Sequence, residues 1–128
     1  MSEPSEEMIE LWSRVFQMAR DGQTESLAAY VDAGIAANLT NDRGDTLVML
    51  AAYHGHADTV KVLLERGADP NRLNDRGQSP LAGAVFKNDP EVVKALLAGG
   101  ADPAAGAPSA VDTARMFDNT ELLTLLQP

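Results

Sequence analysis

Two histidines stand two residues apart in the stretch His54-Gly55-His56. Imidazole is the commonest metal ligand, but a helical zinc pair needs residues i and i+4, because residues i and i+2 do not share a face. The spacing therefore argues for a solvent-facing His54 and a structural His56. Cysteine is absent, which removes thiolate ligands, disulfides and a cysteine nucleophile. Acid–base catalysis has nineteen acidic residues to draw on, yet none is paired within an apolar stretch that would separate the two carboxyl pKa values. The chain carries no Gly-rich phosphate loop, no nucleophile elbow and no H-E-x-x-H. Ser79 and Ser109 stand where helix caps are expected. These residues point to a protein that is not an enzyme and holds no metal or cofactor.

Charge and composition narrow the partners. With Asp+Glu at 19 and Lys+Arg at 10, the net charge is −9. Long-range electrostatics then oppose nucleic acid and anionic lipid and favour a basic partner. An apolar content of 45% over 128 residues is enough for one domain with a real core. The opening MSEPSEEMIE lacks the basic flank and apolar run of a secretory signal, and no stretch reaches the ~18 apolar residues of a membrane span. A soluble cytoplasmic location is expected. Lysine is confined to Lys61, Lys87 and Lys94 while alanine is abundant, as in a bacterial GC-rich gene.

The chain repeats itself. The tetrapeptide Asn41-Asp42-Arg43-Gly44 returns unchanged at Asn74–Gly77. The same offset pairs Ala51 with Ala84, Val60–Lys61 with Val93–Lys94, Leu63–Leu64 with Leu96–Leu97, and Gly67–Pro70 with Gly100–Pro103. A fixed period of this size marks stacked supersecondary units, none of which buries its apolar face alone. Gly34 and Asn38 extend the register backwards into a more divergent unit, and the stretch after Gly106 repeats the helical half. Four units fill most of the chain.

Within a unit, a turn at Gly44 or Gly77 leads directly into a short helix, expected at about 46–54 and 80–87. Thr46 and Ser79 are its N-caps, with Pro80 at the first helical position. A second helix carries Val60, Leu63 and Leu64, or Val93, Leu96 and Leu97, at helical spacing. Asp89–Pro90 again supplies a cap and a first-turn proline, and Gly67 and Gly100 end these helices.

These residues resemble ankyrin repeats. DRGDTLVMLAAYHGHADTVKVLLERGADPN follows the family pattern D-x-x-G-x-T-P-L-H-x-A-A-x-x-G-H with its later V-x-x-L-L-x-x-G-A-D, and RGQSPLAGAVFKNDPEVVKALLAGGADP is a looser copy. The resemblance covers roughly residues 8–126 and implies an all-α solenoid of helix-turn-helix units joined by short turn or hairpin loops. It divides the chain into an N-terminal capping repeat at about 5–40, repeats at 41–73 and 74–106, and a C-terminal capping repeat at 107–128. The N-terminal cap is an amphipathic helix with Met8, Leu11, Trp12, Val15, Phe16 and Ala19 on one side. Three departures bear on hydrogen bonding. Met49 and Ala82 replace the family's histidine, Val48 replaces a leucine, and Asn88–Asp89 replace the glycine–histidine pair that His56 completes in the preceding unit.

The resemblance also implies where binding would occur, since the turn tips and first helices of ankyrin stacks line a concave surface. The tips carry Asp42, Arg43 and Asp45, then Asp75, Arg76 and Gln78. The ends of the first helices carry Tyr53 and His54, Phe86 and Lys87, and Met116 and Phe117, with Arg20 and Asp21 before them. Tyr53, Phe86 and Met116 would form a column of exposed rings and thioether across neighbouring units, the alternative being that the rings pack between units. The paired Asp–Arg tips read either as a charged binding ridge or as a solvated edge. A monomeric protein-binding module acting as inhibitor, stabiliser or escort of its partner is the function expected, with a self-associating homodimer as the alternative.

Overall fold

The computed structural model describes residues 3–127; Met1, Ser2 and Pro128, the last residue of the expected C-terminal capping repeat, lie outside the described residues. Among those described, the chain forms eight helices and no strand: α1 (Glu6–Asp21), α2 (Thr24–Asp32), α3 (Leu47–Tyr53), α4 (Ala57–Glu65), α5 (Pro80–Phe86), α6 (Pro90–Ala98), α7 (Ala110–Met116) and α8 (Thr120–Leu126). Each odd helix packs on the even helix that follows it. The odd helices also pack in series, α1 on α3, α3 on α5 and α5 on α7, and the even helices do the same. The outcome is an all-α solenoid with an inner row of odd helices and an outer row of even ones.

Seven-residue helices such as α3 and α5 are far below the length that is stable alone in water, so caps and packing must sustain them. The Thr46 hydroxyl accepts from the Met49 amide at 3.1 Å, and Ser79 accepts from Ala82 at 3.0 Å. Ser109 does the same for α7, and Asp89 accepts from Val92 ahead of Pro90 in α6. Leu47 to Ala52 of α3 are all buried, as a helix enclosed by α1, α4 and α5 requires. Val60 and Leu63, and likewise Val93 and Leu96, are fully buried between the rows, while Leu64 and Leu97 are half-buried at their edge.

α4 has no side-chain cap. His56 instead reaches back one unit, where its Nε2 donates to the Arg20 carbonyl at the end of α1 at 2.7 Å. Gly22 is the counterpart that permits this approach: its φ is +72°, and a Cβ there would run into the His56 imidazole. In the third unit, Asn88 takes the left-handed position with φ 55° and accepts from Asn119 Nδ2 at 3.0 Å, while Asp89 caps its helix. Loss of glycine and histidine there is thus met by a different pair of bonds. Met49 and Ala82, at the family's histidine position, are buried.

Two further asparagines join consecutive units. Asn38 Oδ1 accepts from the Asp69 amide at 2.7 Å and its Nδ2 donates to the Gly67 carbonyl; Asn71 repeats both bonds with Asp102 and Gly100.

Candidate functional site

The inner row and the turn tips enclose a concave groove of about 630 Å³. Its construction starts at the tips. Asn41 Oδ1 accepts from the amides of Arg43 and Asp45, at 2.9 and 3.0 Å, and closes the turn on itself. Asn74 does the same with Arg76 and Gln78, both at 3.0 Å. Its Nδ2 also donates to Asp45 Oδ1 at 2.9 Å and to Gln78 Oε1 at 2.7 Å, while Asn41 Nδ2 donates to Asp45 Oδ2. An aspartate at position 74, as in the family pattern, would lose those donors and set a second carboxylate against Asp45. The neighbouring tips are also joined through the backbone, where the Asp75 amide donates to the Arg43 carbonyl at 3.0 Å and Ala107 to Gly77 at 3.1 Å. Gly44 allows the first of these contacts, since a Cβ there would stand 2.9 Å from the Asp75 nitrogen.

Asparagine and glycine of the repeated tetrapeptide are therefore structural, and the Asp–Arg pair between them is not. Asp42, Arg43, Asp75 and Arg76 are exposed, and among the described residues their side chains make no hydrogen bond or ion pair.

Most residues expected at the site come together. Arg43, Asp45, Tyr53, His54, Arg76, Gln78, Phe86, Met116 and Phe117 all line the groove. Asp42 and Asp75 do not; they line a smaller hollow of about 370 Å³ at the tips, shared with Arg43 and Arg76. Lys87 lines neither, but its Nζ lies 4.9 Å from the centre of the Tyr53 ring, a cation–π arrangement. Arg20, noted in the sequence only as preceding the column, also lines the groove. Met49, Ala82 and Thr113 line it too. Apolar periodicity marks Met49 and Ala82 as interior positions, and only their place in the repeat could have singled out any of the three.

Tyr53, Phe86 and Met116 are 42%, 57% and 70% exposed, so none of them is buried between units. Phe86 meets Phe117 edge-on at 5.8 Å between ring centres, and Tyr53 meets His54 at 5.6 Å. The His54 imidazole is held below its ordinary pKa of 6.5, first by partial burial and then by the positive charges of His56, Arg20 and Lys87, with Asp21 opposing.

A model of ankyrin repeats in three copies matches residues 15–106, most of the chain. The chain belongs to the ankyrin repeat family. Over 44 residues it is 46% identical to an ankyrin repeat protein of Pseudomonas aeruginosa, an alignment covering 34% of this chain and 26% of that one. The solved ankyrin repeat domain of human ASB11 superposes with a TM-score of 0.77 at 25% identity, over 88% of this chain and 52% of that domain. The chain thus spans about a quarter of its curated relative and about half of the solved domain. Ankyrin repeats are in general non-enzymatic modules for protein–protein interaction.

Proposed function

We propose that this ankyrin repeat chain binds a segment of one partner protein along the groove, and inhibits, stabilises or escorts that partner. The observation that carries the reading is the exposed column of Tyr53, Phe86 and Met116, joined by Phe117, on the wall of a concave surface. Exposed large apolar side chains gathered on one face cost solubility unless something covers them, and aromatic anchors in a concavity are what interface hot spots are made of. No catalytic role is proposed: the groove's titratable lining is Arg20, Arg43, Asp45, Tyr53, His54 and Arg76. Asp45 has both its oxygens engaged by amides, and no nucleophile–base pair is formed. The net charge of −9 favours a basic partner at long range, whereas guanidinium groups dominate the charged part of the groove's lining.

Affinity capture from lysate tests the reading, comparing wild type with the Tyr53→Ala/Phe86→Ala double variant after circular dichroism has shown both to be folded. A protein retained by wild type and lost by the variant is the expected result. A partner held equally by both would place binding elsewhere. Concentration-dependent mass in light scattering, abolished in the variant, would assign the column to self-association instead.

A further inference from the structure

We infer that the groove takes an acidic partner segment anchored by apolar side chains, a proposal that rests on the groove being the binding face. The argument begins with how charge is distributed. The chain has nearly twice as many acids as bases, yet the charged groups lining the groove are Arg20, Arg43 and Arg76 against the single carboxylate of Asp45. Both Asp45 oxygens already accept side-chain amides, from Asn41 and Asn74. The three guanidinium groups have no such partners: among the described residues none makes a side-chain hydrogen bond or ion pair.

Cations elsewhere divide: among the described residues Arg14, Lys61 and Arg72 make no ion pair, whereas three others do. Arg66 pairs with Asp32 at 2.9 Å, Lys94 lies 3.7 Å from Glu91, and Arg115 lies 4.0 Å from Asp112. Lys87, stacked over Tyr53, adds a fourth unpaired cation beside the rings. His54 is held below its ordinary pKa first by partial burial, and the smaller contributions of His56, Arg20 and Lys87 agree with this local sign, with Asp21 the one opposing charge. Asp42 and Asp75 temper the tips, but they line the smaller hollow and not the groove.

A surface of this kind repels carboxylates over most of its area and attracts them in one concavity, so it orients an acidic segment as well as binding it. An unpaired guanidinium offers a planar fork of donors matched to a carboxylate. Arg43 and Arg76, at equivalent places in adjacent tips, repeat at roughly the ~10 Å spacing of packed helices, with Tyr53 and Phe86 stepping alongside. The fitting ligand therefore places carboxylates toward the tips and apolar side chains against the rings. Nucleic acid fits poorly, because its phosphates would run on past the groove into a strongly acidic surface.

Panning a phage-displayed random peptide library against the intact chain tests the proposal. The expected result is enrichment of net-acidic peptides containing aromatic or aliphatic residues. Synthesised, these should bind about tenfold or more weakly to the Arg20→Ala/Arg43→Ala/Arg76→Ala variant. They should bind unchanged to Lys61→Ala/Lys94→Ala on the outer row, and more weakly as salt rises. Enriched peptides that are neutral or basic, yet depend on Tyr53 and Phe86, would overturn the acidic assignment and leave the groove reading intact. Acidic peptides indifferent to both the arginine and the aromatic variants would overturn both, as would failure to enrich any sequence above the bare support.

Discussion

The inner and outer rows are built from the same repeat and use their polar residues in opposite ways. On the outer row one ion pair joins two units, Arg66 of the α4 end clasping Asp32 of the α2 end, and Lys94 lies 3.7 Å from Glu91 within α6; the inner row's one ion pair among the described residues, Arg115 with Asp112, stays within α7. The inner row is held by uncharged caps, Thr46, Ser79 and Ser109, and by asparagines at the tips. Its exposed rings and cations hold little of the fold together. The contrast teaches that a repeat can separate what stacks from what is displayed, because neighbouring units need only a few positions in common.

The comparison breaks if residues assigned to stacking prove dispensable. Leu96→Ala removes a fully buried side chain between the rows and should cost about 2–5 kcal/mol, read as a lowered midpoint in urea unfolding. A loss near zero would mean that this interface relaxes freely. Next comes Asn74→Ala, which strips the tip of bonds to Arg76, Gln78 and Asp45; each is worth about 1 kcal/mol at most in so accessible a place, so about 2 kcal/mol in all is expected from the same measurement. On the display side, Phe86→Ala should shift stability by about 1 kcal/mol or less, since more than half of the side chain is already in solvent. A cost near that of Leu96→Ala would show the ring to be part of the stack.

The smallest effect concerns His54. Its folded-state pKa lies below 6.5, so the folded chain binds fewer protons there than the unfolded chain. Its contribution is complete above pH 6.5 and is lost as pH falls through the depressed value. NMR titration should find the midpoint below 6.5, and Arg20→Ala should raise it; a midpoint at or above 6.5 would contradict the burial, and one unmoved by Arg20→Ala the positive surroundings, described for His54.

Much of the fold was legible because turn residues and helix periodicity agree. Thr46, Ser79, Asp89–Pro90, Gly67 and Gly100 mark helix ends, and the structure puts them there. His56 was legible as structural, but its bond to the Arg20 carbonyl was not, because the two belong to different units. The same holds for the groove. Spacing brought Tyr53, Phe86 and Met116 into a column, while the dominance of arginine within it stayed hidden: net charge sums over the surface and says nothing of which side a residue faces. Asn74 shows the limit most clearly, since one tip's sequence explains its bonds to Arg76 and Gln78 and only the neighbouring tip explains its Nδ2 bond to Asp45.

The backbone bonds between tips, Asp75 to Arg43 and Ala107 to Gly77, have a kinetic meaning. They lie on an exposed rim, where an amide would ordinarily exchange with solvent as fast as the loop breathes. These two report instead on the parting of one unit from the next. In a linear array whose units contact only their neighbours, each such amide is a gauge on a single junction, and together they measure how far fraying travels inward from either end before the whole chain gives way.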